Sequence, residues 1–208
     1  MVKLYGPLFS LDASGSIANA VTYSKWKGRN YARQRVVPAN PKSALQVAMR
    51  AMMKFLSQSW TSVGSTPQGS WQTRADASIV SPFNAFVGAN QARWREFQGP
   101  SQTDPAAETG TPPVATLDSA TGGVRHIDLE FTITTLNDVW GVMIFRSTSG
   151  TFTPSLSNCI AILEVDSTGT LIYTDSELDA GTYYYDAVFF TKEGLMDTEE
   201  GEVNGTAT

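Results

Sequence analysis

The side chains that most often carry out chemistry in proteins are sparse in this sequence. His126 is the only histidine and Cys159 the only cysteine. His126 has no second histidine to complete a metal set and alternates with apolar residues, so we expect it on the surface of a strand. Cys159 lies beside Ile160 and Ile162, a setting typical of a small core residue. Neither residue is predicted to be catalytic.

Two other motifs could bind ions but lack a necessary part. The spacing of Asp175, Glu177 and Asp179 resembles that of a calcium-binding loop, yet Ala180 stands where such a loop needs glycine. The pair Gly122-Gly123 has no strand-then-helix context, which phosphate-binding loops require. We therefore predict no catalytic residue, no metal ion and no cofactor, and expect a non-enzymatic protein.

The chemistry that the sequence does offer is electrostatic. A run of cations is interleaved with two aromatic residues, and its members are Lys25, Trp26, Lys27, Arg29, Tyr31, Arg33 and Arg35. Such a run could be a solvated surface, a contact with an acidic protein, or a site where bases stack on the aromatic rings. Nucleic acid is the least favoured partner because the rest of the chain is acidic. Arg33 and Arg35 are the best candidates for ion pairs between subunits.

Charge is distributed unevenly along the 208 residues. Residues 1–100 hold 12 Lys and Arg against three acids, and residues 101–208 hold three against 17. This asymmetry predicts two domains with different partners, or domains that attract each other between copies of the chain.

The periodicity predicts a small α+β domain over residues 1–98. Strand-like runs at 16–23 and 29–37 meet at Trp26-Lys27-Gly28, and a turn is expected at residues 12–15. Asn40-Pro41 and Ser81-Pro82 are predicted helix starts. Apolar stripes follow each start, and residues 70–78 are expected to form a short helix between them. Their members are Leu45, Met49, Met52, Leu56 and Trp60, then Phe83, Phe86, Val87, Trp94 and Phe97.

The remainder is predicted to be a linker at residues 99–113 and an all-β domain at 114–208. The linker is rich in Pro, Gly and Thr without periodicity. Short alternating strands follow, beginning with Ile127, Leu129, Phe131 and Ile133, and their number suits an immunoglobulin-like sandwich.

From Val139 onward the chain resembles a fibronectin type III domain. The segment 140–147 is similar to its third strand, and residues 173–175 are similar to its fifth. Residues 178–185 are similar to its corner and sixth strand. The resemblance implies that Tyr183 is the corner tyrosine, bonded to backbone near Leu178. The tryptophan expected in the second strand is absent, with Leu129 or Phe131 in its place.

Residues 5–95 resemble small structural proteins of tailed phages and prophages. The resemblance rests on GPLFSLDASG at residues 6–15, on Trp26-Lys27-Gly28, and on Asn40-Pro41-Lys42-Ser43 with Gln46 and Arg50. It implies a virion component, to which no activity is attached.

Alternation along the sixth sandwich strand places Tyr184, Val188 and Phe190 on the face away from the sandwich core. Large apolar groups on an outward face often mark a contact, although the linker or the N-terminal domain could cover them instead.

The sequence thus predicts a phage accessory or decoration protein of the head or tail, in contact with other virion proteins and with its own copies. We expect it in the virion after synthesis in the host cytoplasm. Neither an apolar run of bilayer length nor a signal-peptide core is visible, so no membrane association is expected. The alternatives are a receptor- or glycan-binding module, suggested by Phe152 at a loop end, and a DNA-contacting head–tail junction protein.

Overall fold

The computed structural model describes residues 2–4, 14–17, 20–36 and 40–208 of the chain. The fold is α+β, as predicted, and the chain divides into two compact units, Met1–Pro41 and Lys42–Thr208. This division differs from the predicted boundary at residue 98, because the helices share a core with the sandwich and belong to the second unit.

The first unit is a four-stranded antiparallel sheet in the order β1-β4-β3-β2. Its strands are β1 (Val2–Leu4), β2 (Gly15–Ile17), β3 (Val21–Trp26) and β4 (Arg29–Gln34). Lys27 and Gly28 join β3 to β4 with φ of 47° and 76°, the two left-handed residues of a type I′ hairpin turn. The hairpin at Trp26-Lys27-Gly28 is confirmed. The predicted strand at 16–23 is divided between β2 and β3. Residues 12 and 13 of the predicted turn, and residue 37 at the end of the second predicted strand, lie outside the described residues.

Three helices open the second unit: α1 (Ala44–Ser59), α2 (Ser65–Ser78) and α3 (Pro82–Arg95). The start at Ser81-Pro82 is confirmed, since the Ser81 hydroxyl accepts the Asn84 N–H at 3.2 Å and Pro82 needs no acceptor in the first turn. The start predicted at Asn40-Pro41 is wrong, because Ser43 holds the N-cap position of α1. Leu45, expected in the buried stripe, is 57% exposed.

Eight strands follow in two sheets. The first sheet has the order β5-β6-β9, and the second has β11-β10-β7-β8 with β12 also paired to β10. Their bounds are β5 (Val114–Gly123), β6 (His126–Thr135), β7 (Val139–Ser147), β8 (Cys159–Glu164), β9 (Gly169–Ser176), β10 (Gly181–Thr191), β11 (Met196–Glu199) and β12 (Val203–Ala207). This is the division of strands expected for the predicted fibronectin type III-like sandwich. The corner tyrosine is also confirmed, since the Tyr183 hydroxyl donates to the Asp179 carbonyl at 3.1 Å.

Strands β7 and β10 are buried on both of their faces. One face contributes Val142, Ile144 and Phe189 to the core between the two sheets. The other face carries Trp140 and Phe190, which pack against the helices. Burial on both sides explains why residues 139–145 form a continuous apolar run instead of alternating with polar residues.

The segment 99–113 has neither helix nor strand, but hydrogen bonds tie it to its surroundings. Asn90 Nδ2 donates to the Ser101 carbonyl at 2.9 Å, and the Ser101 N–H returns a bond to Asn90 Oδ1 at 2.7 Å. Trp71 Nε1 donates to the Gln102 carbonyl at 2.7 Å. These bonds make the segment a packed connection between the helices and the sandwich.

A buried polar network joins the two sheets of the sandwich. Asp175 on β9 accepts hydrogen bonds from Arg146 Nη1 at 2.7 Å and from the Tyr185 hydroxyl at 2.9 Å. Tyr185 is fully buried. Burial is the larger cause that raises the pKa of its hydroxyl, and the nearby Asp175 charge raises it further. The phenol therefore stays protonated and keeps donating to the carboxylate.

Separate expression of the sandwich tests the observed boundary. Residues 114–208 alone would expose Trp140, Phe145 and Phe190 to water, so we expect aggregation or loss of ordered tertiary structure. Residues 42–208 keep the helices and should unfold in one cooperative transition. Size-exclusion chromatography and thermal circular dichroism of both fragments provide the measurement. A soluble, cooperatively folding 114–208 fragment would contradict the shared core.

Replacing Asp175 by Ala tests the inter-sheet network. The change leaves Arg146 and the Tyr185 hydroxyl without their acceptor, so the free energy of unfolding should fall by about 3 kcal/mol. The matched control is Ser176→Ala, an exposed change on the same strand, which should alter stability by no more than about 0.5 kcal/mol. Urea titration followed by circular dichroism measures both, and equal stabilities would contradict the role of the network.

Candidate protein-interaction surface

The register of the β3–β4 hairpin sorts the predicted basic residues onto different faces. Thr22 pairs with Arg33, Ser24 with Tyr31, and Trp26 with Arg29. Because paired residues of antiparallel strands project from the same side, these six share one face. We call it the arginine–tryptophan face, and its members are Thr22, Ser24, Trp26, Arg29, Tyr31 and Arg33.

The other predicted cations lie elsewhere. Lys25 pairs with Asn30 and belongs to the opposite face. Lys27 lies in the turn, with its Nζ 5.0 Å from the centre of the Trp26 ring. Arg35 follows the end of β4, where its N–H donates to the Ala20 carbonyl at 2.9 Å. The two-residue turn therefore breaks the odd-numbered alternation of the cations that an unbroken strand would give.

The arginine–tryptophan face is open to solvent. Trp26 is 64% exposed, Arg29 and Arg33 are exposed, and Tyr31 is half-buried. Among the side chains that the structure describes in Met1–Pro41, none is buried. A face that combines an exposed tryptophan with two arginines has the composition typical of the centres of protein interfaces.

The observed boundary assigns charge to each unit. Residues 1–41 contain six Lys and Arg against one Asp, and residues 42–208 contain nine against 19 acids. The cations of α1–α3 thus belong to a unit whose charge is strongly negative. The excess of positive charge therefore belongs to Met1–Pro41.

The prediction of an outward contact at Val188 and Phe190 is wrong. Their exposed fractions are 3% and 0%, because the helices cover this side of the sandwich. Phe55 of α1 packs its ring against Phe190 with centroids 5.4 Å apart. Tyr184 is half-buried, and its role in a contact stays a prediction.

The residues considered for chemistry have structural partners or are buried. Burial raises the pKa of the Cys159 thiol to about 12, which leaves almost no reactive thiolate at neutral pH. His126 is partly exposed, and its Nδ1 lies 3.0 Å from the Val124 carbonyl. Asp175 binds Arg146, and Glu177 lies 3.4 Å from Lys42 Nζ.

Within the described ranges, no group of three or more His, Cys, Asp or Glu side chains is arranged to hold a metal ion. None of the described helices is both long enough and apolar enough to cross a bilayer. The absence of catalytic activity stays a prediction.

Sequence reasoning did not identify a cleft of about 400 Å³ near one end of the sandwich. Its polar lining includes Ser62, Glu164, Asp166 and Lys192, and Ser62 Oγ donates to Glu164 Oε1 at 2.7 Å. Trp140 also lines it, and its buried Nε1 has no hydrogen-bond partner. These residues come from distant segments of the chain, so no local motif could have brought them together.

Comparisons with solved structures find similarity over about half of the chain. No protein-family model matches the chain, and no curated protein sequence matches it. An Fn3-like protein from Clostridium thermocellum is similar over 47% of this chain and 96% of its own, with 20% identity and a TM-score of 0.36. A beta-1,2-glucanase from Parabacteroides distasonis is similar over 48% of this chain, with 20% identity and a TM-score of 0.37. Only 13% of the glucanase chain is matched.

These likenesses cover about half of the chain and carry no information on activity or partners. The fibronectin type III-like sandwich stands on the strand order and on the Tyr183 corner bond. The resemblance of residues 5–95 to phage structural modules stays a prediction.

Replacing Phe190 by Ala tests whether this residue serves the interior or a contact with another molecule. Removing a fully buried ring that packs on Phe55 and Trp140 should lower the free energy of unfolding by about 3–5 kcal/mol. The control is Ile172→Ala, an apolar residue that is 63% exposed, for which we expect less than about 1 kcal/mol. Chemical denaturation measures both, and unchanged stability of Phe190→Ala would contradict the buried position.

Proposed function

We propose that this chain is a non-enzymatic structural protein that joins a larger assembly through the arginine–tryptophan face of its first unit. One observation carries the proposal: an exposed tryptophan and two exposed arginines share a face of a small sheet in which no described side chain is buried.

A sheet of this size has little means of stabilising itself. Units of about 40 residues usually need a disulfide, a metal ion or a partner, and the one cysteine of the chain lies in the other unit. Burying apolar surface against a partner contributes roughly 25 cal/mol per Å². Binding would therefore bury side chains of Met1–Pro41 that the structure describes as exposed or half-buried. The charge of the unit favours an acidic protein surface as that partner.

The proposed assembly is a phage particle, in which the chain serves as an accessory or decoration subunit of the head or tail. The resemblance of residues 5–95 to phage structural modules supports this form of the proposal. Its partners would be other virion proteins and its own copies, with the sandwich projecting from the particle or bridging to the next subunit.

A DNA-contacting protein of the head–tail junction is the second candidate. Trp26 and Tyr31 lie on the same face as Arg29 and Arg33, an arrangement that can stack bases and track phosphates. The glycan-binding alternative has no such support, because Phe152 is partly buried against the helix-side core.

Neutralising the face tests the proposed function. In Arg29→Gln/Arg33→Gln the two guanidinium groups that suit carboxylates are lost, so incorporation into particles purified from producing cells should fall by about tenfold or more. The matched control, Lys54→Gln/Arg95→Gln, removes the same charge from exposed positions of α1 and α3 and should incorporate normally. Quantitative mass spectrometry of the particles measures both.

Two outcomes would contradict the proposal. Equal incorporation of both variants would remove the face from the contact. Tight, salt-sensitive DNA binding of the wild type in gel-shift titrations, lost in Arg29→Gln/Arg33→Gln, would favour the junction protein instead.

A further inference from the structure

The outward side of the β5-β6-β9 sheet presents acids and threonines to solvent. Ile127, Leu129 and Phe131 of β6 project inward and are fully buried, so the residues between them project outward. Register adds Thr116 opposite Thr132, Ile172 opposite Glu130, and Thr174 opposite Asp128. We call this side the acid–threonine face, and its members are Thr116, Asp118, Asp128, Glu130, Thr132, Ile172 and Thr174.

The carboxylates of this face are fixed in place by their neighbours. Thr174 Oγ1 donates to Asp128 Oδ1 at 2.6 Å, and Thr116 Oγ1 donates to Asp118 Oδ1 at 2.5 Å. Two hydrogen bonds lower the pKa of Asp118, the stronger effect coming from Thr116 and the weaker from Thr132. Glu130 is exposed beside them. Strands β5, β6 and β9 contain no Lys or Arg. Their one histidine, His126, has its Nε2 3.8 Å from Asp128 Oδ2.

The face also contains an exposed apolar residue. Ile172 on the edge strand β9 is 63% exposed and pairs with Glu130 of the central strand β6. The other sheet of the sandwich has its outward side covered by the helices. The acid–threonine face is therefore the open side of the sandwich.

The spacing of charge on this face is close to that of the arginine–tryptophan face. Arg29 and Arg33 are four residues apart on one strand, which is about 13 Å. Asp118 lies on β5 three residues before Thr121, the register partner of Asp128, which is about 10 Å along the strand. Between the charges, one face offers Tyr31 and the other offers Glu130 with Ile172.

We infer that the acid–threonine face binds the arginine–tryptophan face of a second copy of this chain. Arg29 and Arg33 pair with Asp128 and Asp118, and the Trp26 and Tyr31 rings cover Ile172. This inference rests on the proposed function and names its partner. A second copy is the occupant because one chain carries both complementary faces, on units of opposite charge.

Such a contact is head-to-tail, since two different surfaces meet. It therefore produces rings or filaments instead of a closed two-fold dimer. Each face is roughly 20 Å on a side, so the buried area is at the low end for specific interfaces. Association should consequently depend on both concentration and salt.

Sedimentation velocity of the full chain tests the inference over a range of concentrations, at about 50 mM and about 500 mM salt. We expect association at low salt that is lost at high salt. Asp118→Lys/Asp128→Lys and Arg29→Glu/Arg33→Glu should each weaken it at least about tenfold. Combining all four changes should restore it, because the charges are exchanged. Asp166→Lys/Asp179→Lys, the same charge change on exposed acids outside the face, should associate like the wild type.

Each alternative outcome has a distinct meaning. If the arginine variant stops associating but the acid variant does not, the acid–threonine face is not the acceptor, and the proposed function survives. If neither variant changes association, the arginine–tryptophan face is not a contact, and both proposals fail. A wild type that stays monomeric at all concentrations overturns the inference, while particle incorporation then decides the proposed function. The isosteric variant Asp118→Asn/Asp128→Asn repeats the acid test should the lysine variant lose its circular dichroism spectrum.

Discussion

The packing of Phe55 against Trp140 is the contact on which the larger unit depends. The two ring centroids are 4.8 Å apart, and Phe190 lies within 6.0 Å of Trp140 on the neighbouring strand. Gly141 allows this approach, because a Cβ there would lie 2.7 Å from Cζ of Phe190. Without this contact, a second apolar face of the sandwich would meet water at a cost that a domain of marginal stability could not offset.

The same packing limits where the protein can meet a partner. The helices pack on the β7–β10 side of the sandwich. Val188 and Phe190, which the sequence suggested as contact residues, are therefore buried in the interior. The surfaces left open are polar and charged, on the small sheet and on β5-β6-β9. Complementary charge steers association and selects orientation more than it adds affinity. An assembly built on such surfaces would therefore be easy to dissociate and easy to re-form.

Local patterns in the sequence predicted the parts of the fold that local physics determines. The alternation of Ile127 to Ile133, the cap at Ser81-Pro82 and the corner at Tyr183 each depend on neighbours within a few residues. Val188 and Phe190 are covered by α1, which is more than 100 residues away in sequence. Alternation alone therefore showed that β10 has a second apolar face but not that a helix packs on it. The 99–113 segment has loop composition, and its hydrogen bonds to Asn90 and Trp71 could not be read from that composition.

The basic surface shows the same division between local and distant information. The sequence indicated a hairpin turn and suggested that it could interrupt the alternation of cations. Only the observed register separates Lys25 from Arg29 and Arg33. Likewise, counting charge by halves detected the asymmetry, but the cations of α1–α3 belong with the acidic unit because of their packing.

The placement of the five tryptophans has an optical consequence. Trp71, Trp94 and Trp140 are buried and Trp60 is partly buried, whereas Trp26 alone belongs to the small sheet and lies open to solvent. A collisional quencher dissolved in the buffer would reach the Trp26 indole well before it reached the others. The intrinsic fluorescence of this chain therefore contains a built-in, label-free reporter of whether the arginine–tryptophan face is occupied.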